Sequence, residues 1–159
     1  MLAKQQVISD NYKGQLNANY QGHGEGVRKN LLTMQYYQGY FKLGQYSGQG
    51  VLDIRSIGTL TGTFLAHDLT QGSCKYNNGD FYEGKFSDYR RQGFGKMVYS
   101  KDGSSWEGSW HRDTKQGKGT LTLADGSYQK GIWLNDAPVG EHQYFDKDDN
   151  LIEEKYLTK

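Results

Sequence analysis

Residues 82–86 read YEGKF and residues 106–110 read WEGSW, one aromatic–Glu–Gly–X–aromatic string spelled twice. Each string is followed, at the same distance, by a glycine pair: Gly93/Gly95 after the first and Gly117/Gly119 after the second. Counting the first aromatic as slot 0 puts glycines at slots 2, 11 and 13 and a second ring at slot 4. The stretch from Tyr37 repeats all five slots with Gly39, Phe41, Gly48 and Gly50. Weaker copies fill the gaps. Leu60, Gly62 and Phe64 open a unit one residue short, whose second glycine is Gly72. Gln129, Gly131 and Trp133 open another, with Gly140 at slot 11 and His142 at slot 13. Tyr12, Gly14 and Leu16 open a degenerate first copy. Units thus start at 12, 37, 60, 82, 106 and 129. Self-similarity at such a period marks an array of small stacked units with atypical ends. Function is then expected on a surface, not in a pocket.

Strand side chains alternate with period 2, so slots 0, 2 and 4 share one face. A second alternating set follows the glycine pair: Leu52/Ile54, Cys74/Tyr76, Met97/Tyr99 and Leu121/Leu123. Each unit is therefore two strands with one apolar face. Asn78-Gly79, Asp102-Gly103 and Asp125-Gly126 join one unit to the next, and these dipeptides predict type I′ hairpin turns. The polar stretches SDYRRQ (87–92) and HRDTKQ (111–116) are expected as loops between the strands of a unit. Glycine inside a strand weakens it unless something must approach closely. The expected reason is steric: a glycine on the inner face lets a Tyr or Trp ring of a neighbouring strand lie across it. None of these glycines forms a nucleotide-binding signature at a strand-to-helix junction.

YEGKF…GFG…DG and WEGSW…GKG…DG resemble the MORN (membrane occupation and recognition nexus) repeat, and the resemblance covers about residues 12–150. It implies an all-β fold, an elongated single-layer antiparallel sheet of about six successive β-hairpins forming an open solenoid with a grooved concave side. Residues 1–11 would be an N-terminal extension and 151–159 a capping strand or tail. The resemblance also implies roles of the kind such proteins have in cytoskeletal and ciliary structures, or as appendages to lipid kinases and a SET-domain methyltransferase.

Composition agrees with a thin layer. The 159 residues include 22 Gly and 1 Pro, which leaves no Pro-rich linker. With 13 Tyr, 6 Phe and 3 Trp the chain is too aromatic for disorder, yet few aliphatic residues remain for a thick core. The net charge of +1 gives no pull toward nucleic acid. The single Cys74 excludes an intrachain disulfide. The start, MLAKQQVISD, lacks the apolar run of a signal peptide, and nowhere do 18 apolar residues run together. An intracellular, cytoplasmic protein is expected, and the resemblance implies a cytoskeletal, ciliary or membrane-associated place.

No catalytic constellation is visible. His23, His67, His111 and His142 fall in different units, and the zinc-protease, thiol-redox and serine-hydrolase signatures are absent. Glu83 and Glu107 recur because the unit recurs. No enzyme, cofactor or metal is expected. Two sets of residues are candidates for binding. Tyr82, Phe86, Trp106, Trp110, Tyr128 and Trp133 would be a line of partly exposed rings for a partner helix or peptide, since Tyr and Trp dominate interface hot spots. Arg90, Arg91, Arg112 and Lys115 would stack along one edge if units superpose, facing anionic phospholipid or an acidic partner. Residues 82–118 carry eight Lys/Arg against five acids, and 136–159 seven acids against three Lys. The expectation is a non-catalytic interaction or scaffold protein that holds a partner polypeptide along its groove, with a peripheral membrane adaptor as the alternative.

Overall fold

The computed structural model describes residues 6–8 and 11–158; residues 1–5 and 9–10 of the expected N-terminal extension and Lys159 of the expected tail lie outside the described residues. Those described form strands and turns without a helix, in two compact units, Met1–Asn77 and Asn78–Lys159. The first unit contains β1 (Gln6–Ile8), β2 (Tyr12–Leu16), β3 (Gly22–Asn30), β4 (Gln35–Lys42), β5 (Gln45–Ile54), β6 (Gly58–Leu65) and β7 (Asp68–Tyr76). The second contains β8 (Phe81–Ser87), β9 (Arg90–Val98), β10 (Ser105–His111), β11 (Thr114–Thr122), β12 (Tyr128–Leu134), β13 (Ala137–Phe145) and β14 (Leu151–Leu157). Within each, every strand pairs antiparallel with its neighbours in chain order. Neither sheet closes on itself, so the chain is all-β in open, single-layer sheets of hairpins.

The register explains two of the three glycine slots. Gly84 faces Gly95 within one hairpin, and Gly95 faces Gly108 across the next joint, then Gly119 and Gly131. The first unit has the same row in Gly26, Gly39, Gly50 and Gly62. Slot-0 rings lie across this row, as the sequence predicts. A Cβ on Gly95 would come within 2.6 Å of Tyr82 Cε2, and one on Gly84 within 2.6 Å of the Gly95 Cα. Having crossed the glycines, the tyrosine hydroxyl donates to the slot-3 carbonyl: Tyr37 Oη to Tyr40 O at 3.0 Å and Tyr82 Oη to Lys85 O at 3.1 Å.

The slot-11 glycine answers to a different constraint. The β8–β9 register shifts by a bulge between Gly84 and Phe86, and Gly93 beside it sits at φ 67°. A Cβ there would meet only the flexible Lys85 side chain, at 3.3 Å. The left-handed conformation costs an L-residue about 1–2 kcal/mol. Gly93→Ala is accordingly expected to lower the unfolding free energy by about that amount in urea denaturation. Gly93→Asn should cost less, because Asn tolerates this region.

The turns reverse the expected assignment. The stretches 87–92 and 111–116 are not loops: strands run into them and leave two-residue turns, Asp88-Tyr89 and Arg112-Asp113. Both residues of each have positive φ (51° and 57°, 47° and 71°), so the type I′ turns lie inside the units. Their twist matches that of the flanking strands. At the expected I′ joints only the glycine is left-handed, with φ of 90° at Gly79, 72° at Gly103 and 89° at Gly126. There the preceding Asn or Asp closes an Asx turn instead. Asn78 Oδ1 accepts from Asp80 N at 3.0 Å, and Asp102 and Asp125 Oδ1 accept from Ser104 and Ser127 N at 2.9 Å.

Candidate functional site

The rings expected to line a groove are the core. Tyr82 and Trp106 are fully buried, and Phe86, Trp110 and Trp133 nearly so. The expectation that these five are partly exposed is therefore corrected: Tyr82 and Trp106 cover glycine backbone, and the five meet one another edge-on, which leaves them almost no free surface. Tyr82 meets Phe86 at 5.0 Å and Trp110 at 5.6 Å between centroids, and Trp106 meets Trp110 at 4.7 Å and Trp133 at 5.9 Å. Such T-shaped pairs are the favoured geometry for aromatic quadrupoles. Burial pushes the Tyr82 phenol up to about 12, so it stays a donor. Tyr128 is half-buried, stacked on Phe145 at 4.7 Å, and its hydroxyl donates to Asp149 Oδ1 at 2.8 Å.

The basic edge is corrected as well. Arg91 and Lys115 occupy slot 9 of their units, and both fold over the rings. The Arg91 guanidinium lies 4.3 Å from the Trp110 centroid. Its Nε donates to Asp113 Oδ1 at 3.0 Å and its second terminal nitrogen to Asp113 O at 2.8 Å. Lys115 Nζ sits 5.2 Å over Tyr99 and 5.8 Å over Trp106, and burial lowers its pKa. Only Arg90 and Arg112 remain exposed. Slot 9 also carries a clamp between units. Asp113 Oδ1 accepts from Arg91 N and Asp136 Oδ1 from Lys115 N, each at 2.9 Å. The backbone bonds return from Asp113 N to Arg91 O at 3.1 Å and from Asp136 N to Lys115 O at 3.2 Å.

His142 is structural. Gln129 Nε2 lies 2.7 Å from its Nδ1, and its Nε2 meets the Ile132 backbone, 2.9 Å from O and 3.3 Å from N. Its ring lies where a Gly131 Cβ would be. In this unit ring and glycine have exchanged strands: slot 0 is Gln129 and slot 13 supplies the ring. Among the described residues no group of three His, Cys, Asp or Glu is arranged to hold a metal.

What stays open is the opposite face. In the second unit a groove of about 1060 Å³ has Gly108, Gly119 and Gly131 in its lining, which show their backbone to it while the side their Cβ atoms would take is filled by Trp106 and His142. Its walls include Phe94, Lys118, Lys130, Ile132, Glu141 and Tyr156. Phe94 is 60% exposed, Ile132 45% and Tyr156 73%. The first unit repeats the arrangement on a smaller scale, about 780 Å³ with Tyr40 and Val51 beside Lys13 and Glu25. These residues were not among those singled out by sequence. The available signal was parity: Phe94 holds slot 12, between two glycines, where the other strong units have Gln49 and Lys118.

Three segments, residues 37–56, 82–104 and 106–128, match the MORN repeat family. No curated protein matches the chain. MORN repeats form a non-catalytic repeat domain, generally involved in protein or membrane-lipid interactions.

Proposed function

We propose that this MORN repeat protein is a non-catalytic interaction module, which holds a partner polypeptide along the groove of residues 78–159 and so serves as a scaffold in a larger assembly. The observation that carries the reading is the contrast between the two faces. One is closed by rings and their Arg and Lys covers. The other leaves Phe94, Ile132 and Tyr156 exposed among Lys118, Lys130 and Glu141 over bare backbone. Exposed apolar groups rimmed by charge mark interaction surfaces, and aromatic anchors supply most of the energy at such surfaces. The complementary partner is a segment with apolar anchors spaced between charges of both signs.

The test is affinity purification from the native source with wild type and with Phe94→Asp/Ile132→Asp. Both substitutions lie on the exposed face, so folding is expected to survive and can be checked by circular dichroism. Stoichiometric partners recovered by wild type should fall at least about tenfold with the variant, as loss of hot-spot anchors predicts. Equal recovery by the two proteins, or none by either at physiological salt, overturns the proposal.

A further inference from the structure

We propose that β14 is a docking edge for a second copy of this chain, with the two β14 strands pairing antiparallel about Glu154. The inference goes beyond the groove reading and does not depend on it. β14 is bound to β13 along one side, and no strand among the described residues pairs with its other side. That side offers a row of N–H and C=O groups, the template an open edge presents to another chain. Leu151, Ile152 and Tyr156 on this strand are 52%, 66% and 73% exposed.

Charges on edge strands usually discourage pairing, and Glu153, Glu154 and Lys155 would do so toward an arbitrary strand. Toward itself the order Leu-Ile-Glu-Glu-Lys-Tyr-Leu is complementary. Antiparallel pairing about Glu154 sets Glu153 opposite Lys155 of the second copy, and Lys155 opposite Glu153 of the second copy. The same register brings the bulged Leu151–Ile152 end of one strand against the Tyr156–Leu157 end of the other. Glu153 and Lys155 already meet within the strand, Nζ to Oε2 at 2.7 Å. The four groups would then form a square of alternating sign. From Glu153 to Leu157 β14 is regular, and a register centred on Glu154 there lets the outward backbone groups of one strand meet their own equivalents in the other; the bulge at Ile152 confines the regular ladder to the stretch around Glu154. The single mismatch is Glu154 against its copy at the twofold axis. Glu154 accepts from Gln143 Nε2 at 2.7 Å, which absorbs part of that repulsion.

Sedimentation equilibrium of the full chain at roughly 100 μM, far above micromolar dissociation constants, is expected to show the dimer. Lys155→Glu alone turns two attractive pairs into two repulsive ones, and dimerisation should weaken at least about tenfold. Glu153→Lys alone should do the same. An equal mixture of the two single variants should dimerise again, as heterodimers, and the double swap Glu153→Lys/Lys155→Glu should recover the homodimer. Glu154→Gln should tighten the wild-type dimer. Recovery in the mixture separates lost pairing from lost folding, since misfolded chains would not rescue one another. A monomeric wild type, a dimer indifferent to Lys155→Glu, or single variants that do not rescue one another would each overturn the proposal.

Discussion

Trp106→Ala is expected to cost about 4 kcal/mol of unfolding free energy, the size typical of a large aromatic truncated in a core. That is a large part of the roughly 5–15 kcal/mol that holds an ordinary domain together. Trp106 is fully buried, touching Trp110 and Trp133 edge-on and lying under Lys115. It also lies across Gly119, where a Cβ would fall 2.8 Å from Trp106 Cε2. A glycine has no side chain with which to fill the void, so the site cannot collapse onto the missing ring. Milder replacements separate packing from hydrogen bonding. Trp106 Nε1 is buried and makes no hydrogen bond, so Trp106→Phe should lose volume and contacts only. Trp106→Tyr should cost less than Trp106→Phe, because its hydroxyl can reach the Ser109 carbonyl as Tyr82 reaches that of Lys85. Urea denaturation of the three variants checks the order Ala, Phe, Tyr. A loss below about 1 kcal/mol for the alanine variant would mean that the ring ladder is not what stabilises this unit.

The hairpin array was legible in the sequence because its signals are local and repeat. The glycine row, the slot-0 rings and the alternating strands are each set by a side chain present or absent at a fixed spacing. The turns misled for a physical reason. Asn-Gly and Asp-Gly suit a type I′ turn, but they suit an Asx turn with one left-handed glycine equally well, and the register decides between them. Asp88-Tyr89 and Arg112-Asp113 carry no I′ signature, yet strand twist imposes positive φ on both residues of each. Slot 9 was silent because its occupants share a position and no chemistry: Tyr46, Leu69, Arg91, Lys115 and Pro138. Arg91 and Lys115 look like surface charge until Trp110, Trp106 and Tyr99 are seen beneath them. Five of the six candidate binding rings are buried for a related reason. In a single layer the largest apolar groups must cover one another, so exposed rings fall to slots where an unpatterned residue such as Phe94 stands.

Gly95→Ala should be the most damaging single methyl added to the second unit, at about 3 kcal/mol, the upper range for overpacking a tight site. Glycine-to-alanine changes at compatible positions stabilise by roughly 0.4–1 kcal/mol through the unfolded chain, so a loss requires a specific clash. Gly95 is buried, and its backbone is not left-handed. Strain in φ therefore plays no part. The added carbon would instead enter the space of the Tyr82 ring, 2.6 Å from Cε2. A double-mutant cycle isolates that contact. Tyr82→Ala alone removes a fully buried ring and should itself cost about 3–4 kcal/mol. In its background Gly95→Ala should cost almost nothing more, because the obstacle has gone, giving a coupling close to the full cost of the glycine change. The other glycine of the same pair supplies the contrast. Gly93→Ala is penalised by its own φ of 67°, so its cost should be the same with or without Tyr82. If Gly95→Ala proves equally insensitive to loss of the ring, close ring-on-glycine packing is not the reason for the glycine row.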